Sequence, residues 1–346
     1  MPVKIAIVEF FPTQSGKIRH PGAENVKQAL LDSPSMRSSA FSLRLITPAA
    51  LTSMGGRNFF EGNFAAIVLP GGSSRQQSKA LGVTGRATIR QFVANGGGYL
   101  GICAGAFLAL SDYHPERSLK LLRCSALEDW ERGHKIASIH FTPDGAALLC
   151  NTTSSSSSLA SVSPTPQPAA IPLPSIDKVT EEPLTPPSAM CGKNNTPVQC
   201  KRLVRFNNGP CMINMCTEDS GQLKDGRPKK EDGVVSDAAQ PPPGSATFLA
   251  TYLEDLRKDD DTRVVGSQSS KGTGAIAQGL YGKGRVLLIS PHLESTDERA
   301  TKAVATESCS TPESLPFLAK TTAQPDRALQ AAIRRAAAWV SGAELV

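Results

Sequence analysis

Four short apolar runs punctuate the N-terminal third of the chain: "KIAIVEF", "FSLRLI", "AAIVLP" and "GGYLGIC". Each is rich in β-branched residues and bounded by turn formers, which predicts buried strands. Between them, "PGAENVKQALLDS" and "TGRATIRQFVANG" carry apolar residues at helical spacing, with Pro21 or Thr84 near the start and Gly96 after the end. Strand and helix alternate, so the pattern predicts an α/β fold with a parallel sheet and helices on both faces.

Downstream the pattern shortens and becomes strand-rich. "KIASIHF", "RLVRFN" and "ATFLATYL" read as strands, and "GAIAQGLYGKGRVLLIS" as a hairpin turning at Gly282, Lys283 and Gly284. In "DRALQAAIRRAAAWV", Leu329, Ile333, Ala336 and Val340 share one helical face, which should pack on the sheet. Residues 1–346 are therefore expected to form a single domain carrying three insertions. Residues 151–200 are rich in Ser and Pro, 217–245 mix both signs of charge with Gly and Pro, and 295–325 are a weaker case. The first two hold too few large apolar residues to offset the entropy of ordering them, so disorder is expected there.

Composition narrows this picture. Aromatics make up 5% of the 346 residues, so Ala, Val, Ile and Leu must build the core. The formal charge of +6 is spread along the chain without a long basic run, which argues against a nucleic-acid partner. The eight cysteines form no C-x-x-C pair, which weakens zinc and redox-motif readings, and no metal is expected. The start, "MPVKIAIVEF", enters a strand directly, and no segment approaches the ~18 apolar residues of a membrane span. A cytoplasmic protein without a membrane partner is the expectation.

The stretch "GGGYLGICAGAFLALSDYHPE" carries the clearest chemistry. Cys103 lies between Gly101 and Gly105, where a strand gives way to the helix-compatible "AFLALSDY". The same arrangement with serine is the nucleophile elbow, whose glycines permit a sharp strand-to-helix turn. A thiol at a helix N-terminus also meets the positive end of the dipole, which favours thiolate. The plainer alternative is a small cysteine buried at a strand end.

Such a cysteine needs a base. His114 is eleven residues on, about 16 Å of axial rise if the helix continues, and is out of reach. His20 precedes the first helix, His134 is expected in a polar loop and His140 within a strand. His292 follows the apolar "RVLLIS" and Pro291, so it should lie at the C-terminal strand edge, where the elbow also lies. Glu294, two residues further, could accept the second imidazole N–H and fix its tautomer. A solvated surface turn would explain "HLE" by itself. "VLPGGSS" presents Gly71 and Gly72 at another strand end, where either could offer a backbone N–H to an oxyanion, with Ala104 N–H as the second donor. A tight turn explains "PGG" equally well.

No phosphate loop is present, and "GTGAIAQG" precedes a hairpin rather than opening a helix, so no cofactor is expected. "PGG", "GICAG" and "PHLE", in that order, resemble the class I glutamine amidotransferase superfamily. "QFVANGGGYLGICAGAFLA", "DWERG", "VRFNNGP" and "YGKGRVLLISPHLE" are most similar, within it, to the amidotransferase-like domain at the N-terminus of biotin-protein ligases and in stand-alone proteins. The resemblance spans nearly the whole chain outside the insertions. It implies a three-layer α/β sandwich with a mainly parallel, flavodoxin-like sheet. It also implies Cys103 as nucleophile, His292 as base, Glu294 as its orienting carboxylate, and Gly71 and Gly72 near the oxyanion. Leu293 stands where the family usually has proline, and Ala104 where a related branch often has histidine. The ligase portion is missing, so biotin transfer is not expected. Two function classes follow: a cysteine-triad amidotransferase or amidohydrolase acting on a small-molecule, glutamine-like amide, and a silent binding or regulatory module linked to biotin-dependent enzymes. In either, the insertions could dock a protein partner.

Overall fold

The computed structural model describes residues 2–10, 22–31, 41–53, 64–112, 114, 116–127, 134–150, 201–215, 241–256, 269–294 and 325–343; of 134, 135 and 325–330 it gives the backbone. In chain order the elements are β1 (Val3–Val8), α1 (Gly22–Leu31), β2 (Phe41–Ile46), α2 (Pro48–Ser53), β3 (Ala66–Leu69), α3 (Ser74–Ala94), β4 (Gly98–Ile102) and α4 (Ala104–Ala109). Then follow β5 (Cys124–Ala126), β6 (His134–Phe141), α5 (Pro143–Cys150), β7 (Lys201–Asn207), β8 (Met212–Asn214), β9 (Ala246–Tyr252), β10 (Gly274–Tyr281), β11 (Gly284–Ile289) and α6 (Pro325–Ser341).

One sheet runs β2-β1-β3-β4-β11-β10-β9-β6-β7. Its first five strands are parallel, as the βαβ alternation predicts. From β11 onward the neighbours pair antiparallel, because β10 and β11 are joined by a tight hairpin and not by a crossover helix. The parallel strands are buried on both faces by period-two alternation. Ile5, Ile7, Leu100, Ile102, Leu287 and Ile289 meet Val26 of α1 and Ile333, Ala336 and Val340 of α6. Ala6, Val8, Ile67, Leu69, Tyr99 and Leu288 meet Leu51 of α2, Leu81 and Ile89 of α3, and Phe107 of α4. These are the two helical layers of an α/β three-layer sandwich. No helix among the described residues is long and apolar enough to cross a membrane.

Several local expectations change. Helix α3 begins at Ser74, not near Thr84, with the Ser73 side chain accepting from Gln76 N. Its first turns, "SRQQSK", lack an apolar stripe, and Gly82 at φ 61° breaks the helix before the segment that is readable by period. Gly284 opens β11, so Gly282 and Lys283 alone make the turn. Helix α4 stops at Ala109, where Leu110 turns extended, so the axial-rise argument against His114 does not hold. His134 starts β6, opposite Asn207, instead of lying in a loop. Of the expected insertions, 151–200, 217–240 and 295–324 lie outside the described residues, as do His20 and residues 129–133, "DWERG". Residues 241–245 are described, and Gly244 there bridges to Leu122.

Candidate active site

Strands β3, β4 and β11 are adjacent and parallel, so their carboxyl ends share one edge. Leu69 lies opposite Gly101, and Ile289 opposite Ile102. The next residues are Pro70-Gly71-Gly72, Cys103 and Ser290-Pro291-His292, and this register is what brings three distant segments together.

Cys103 turns the chain from β4 into α4 at φ 50° and ψ −102°, a conformation that costs a non-glycine residue about 1–3 kcal/mol. The surrounding structure holds it there: Cys103 N–H donates to Ile289 O at 2.8 Å, and Cys103 O accepts from Phe107 N at 3.1 Å. The flanking glycines permit close approach. A Cβ on Gly105 would lie 2.1 Å from Leu69 O, and one on Gly101 would lie 2.7 Å from Gly105 O. Tyr99 Oη donates to Gly105 O at 2.7 Å and ties the elbow down. Gly105→Ala must therefore push α4 off β3. We expect it to lower unfolding stability by about 1–3 kcal/mol in urea titration, and an unchanged midpoint would refute the tight-packing explanation.

His292 Nδ1–H donates to Glu294 Oε1 at 2.7 Å, with Glu294 1% exposed. Their backbone is pinned from two sides. His292 N–H donates to Arg205 O at 2.8 Å, and Leu293 is fully buried in the core. An apolar anchor thus holds the turn. Burial opposes charge on His292, but Glu294 and Cys103 together outweigh it and hold the imidazolium well above its usual range. The cysteine sulfur is thus an electrostatic neighbour of the ring. Sγ–H nevertheless donates to Asn207 O at 3.4 Å, while buried Nε2 has no hydrogen-bond partner. The thiol donates to a carbonyl while lying within interaction range of the base.

A raised folded-state value means that the His292–Glu294 pair stabilises the fold fully below the unfolded imidazole value of about 6.5, and that this contribution is lost as pH rises through the folded value. Glu294→Gln removes the main raising partner. NMR titration should show the His292 midpoint moving down in that variant, with the largest stability loss relative to wild type just below about pH 6.5. An unmoved midpoint would contradict the pairing.

Gly71 lies against the imidazole, since a Cβ there would be 2.6 Å from His292 Cε1. Gly72 is exposed and at φ 142°, a conformation that favours glycine. Ala104 N–H belongs to the first turn of α4, whose donors have no partner within the helix. Gly71 therefore borders the imidazole, Gly72 follows it in the same loop, and Ala104 follows the cysteine. Of the other described cysteines, Cys124 is a contrast: burial pushes its thiol up to about 12. Among the described residues no group of His, Cys, Asp and Glu could hold a metal.

Sequence reasoning missed the far wall. Asn207, which takes the thiol, ends β7, and Asn208 follows at φ 55°. Tyr252 Oη and Ser290 Oγ share a 2.6 Å hydrogen bond behind His292, and Tyr252 stacks edge-on to Phe206 at 5.7 Å. Burial first, then Cys211 and Cys103, hold the Tyr252 hydroxyl well above its ordinary value, so it stays neutral. Only "VRFNNGP", noted for its resemblance, signalled this wall.

A strained cysteine, an imidazole and a buried carboxylate on the carboxyl edge of a three-layer sandwich define an α/β protein with an elbow thiol. Within it, residues 22–120 match the model of a family described as biotin-protein ligase, N terminal. The match includes Gly71, Gly72 and Cys103 and stops before His292. No curated protein matches the sequence. Similar solved structures include PurLQS from Thermotoga maritima, at 11% identity, TM-score 0.43 and coverage of 98% of this chain and 99% of that one. A cytoplasmic protein of Salmonella typhimurium LT2, STM1381, is 12% identical, with TM-score 0.40 and coverage of 83% and 87%.

Proposed function

We propose that the protein is a cysteine-dependent amidohydrolase or amidotransferase acting on a small glutamine-like amide. The observation that carries this is the Cys103–His292–Glu294 arrangement, in which a strained elbow thiol adjoins an imidazole whose affinity for a proton is raised by a buried carboxylate. Cys103 gives its proton to His292 Nε2, and the sulfur electron pair forms a bond to the amide carbon. The C=O π pair moves to oxygen, where N–H groups of the Gly71-Gly72 loop and Ala104 receive the charge. As the oxyanion collapses, the C–N bond breaks, His292 returns its proton to the departing nitrogen, and a thioester remains. Water, deprotonated by His292, then forms a C–O bond, the C–S bond breaks, and the proton returns to sulfur.

Ammonia release from glutamine and other primary amides tests this. Release by wild type that Cys103→Ala loses is expected, and equal release by both would contradict it. One observation favours a second role as a binding module of the same fold: the thiol rests on Asn207 O while Nε2 is unpartnered. A module would show no turnover with any amide and would keep its partner in Cys103→Ala.

A further inference from the structure

Gln77 is fully buried in the first turns of α3, in a segment without sequence signal. Its side chain folds back over the helix start, and Nε2 donates to Pro70 O at 2.9 Å and Gly71 O at 3.4 Å. The reverse amide orientation would set acceptor against acceptor, so the nitrogen must face the loop. Gln77 Oε1 meanwhile has no partner, a cost of about 1–3 kcal/mol that a purely apolar residue of this size would avoid.

A trans peptide is planar, with its C=O and N–H pointing oppositely. Holding the carbonyls of Pro70 and Gly71 toward one amide therefore turns the N–H groups of Gly71 and Gly72 to the loop's other side. Two successive N–H groups on one side form an anion-receiving nest. This is the loop whose Gly71 abuts the His292 ring.

We propose that Gln77 is a positioning residue that aims the Gly71 and Gly72 N–H donors at the oxyanion formed on a Cys103-bound acyl group. The assignment rests on the cysteine chemistry proposed above. The test compares two reactions of the same sulfur in the full chain. With p-nitrophenyl acetate, the thiolate forms a bond to the acetyl carbon, the carbonyl oxygen becomes an oxyanion, and the C–O bond breaks to release p-nitrophenolate. The thiol proton goes through His292 to solvent. With iodoacetamide, sulfur displaces iodide and no oxyanion forms.

Gln77→Met, which keeps the shape without donors, is expected to slow the p-nitrophenolate burst about 10²-fold while Cys103 alkylation stays within about twofold. Gln77→Leu, which also lacks the amide donors, should behave likewise and serves if the first variant fails to fold. An unchanged burst overturns the assignment. So does an equal fall in both reactions, which would make Gln77 a structural support. If wild type alkylates in a His292-dependent way yet gives no burst, the oxyanion role falls with it. If wild-type alkylation is independent of His292, the underlying cysteine chemistry fails, which is a different result.

Discussion

His292→Ala is expected to slow thioester formation at Cys103 by about 10⁴-fold or more, the scale seen when one member of a cooperating nucleophile–base unit is removed. The reason lies in the pair. Glu294 and the sulfur raise the ring's affinity for a proton against its own burial, so the ring accepts the thiol proton readily and keeps it while sulfur attacks. Without the ring, the buried Glu294 carboxylate also loses its partner. Burst kinetics with an activated ester would measure the effect, and a loss below about tenfold would show that the imidazole is not the working base.

Gly71→Ala is expected to have the next largest effect. The new methyl carbon would lie 2.6 Å from His292 Cε1. Since the His292 backbone is tied to Arg205 O and Leu293 is buried beside it, the ring itself must move. A displacement of about 1 Å at a reacting group costs on the order of 10²-fold. The same methyl would crowd the loop proposed to offer the oxyanion donors, so rate should fall while the urea midpoint changes little. If stability collapsed in step with rate, the loop would be a packing element and not part of the site.

The parallel half of the sheet was legible because βαβ units repeat one simple alternation, and the site followed from it. Cys103 and His292 end runs too apolar to be anything but buried strands, and neighbouring parallel strands deliver their ends to one edge. Glu294 was legible only through its spacing from His292. The antiparallel half was less so: β5 and β8 are three residues each, β5 paired with β8 and β8 also with β10, and carry no period to read. Gln77 was invisible for a related reason. A polar residue in a polar run gives no sign that the fold will bury it, and its role depends on a loop seven residues earlier. Asn207 acts through its backbone carbonyl, which no side-chain pattern announces. The length of α4 was misjudged because "AFLALSDY" suits a helix locally, whereas Leu110 leaves it to bridge Leu122.

The central claim is that His292 is the base that takes the Cys103 proton. Its most direct test is the rate of Cys103 alkylation by iodoacetamide across pH, read by mass spectrometry in wild type and His292→Ala. Wild-type Cys103 should react faster than the variant at pH 6, and the variant should lose this assistance and behave as an ordinary thiol, which ionises near about 8.5 in a free cysteine. Identical, unassisted profiles in the two proteins would contradict the account.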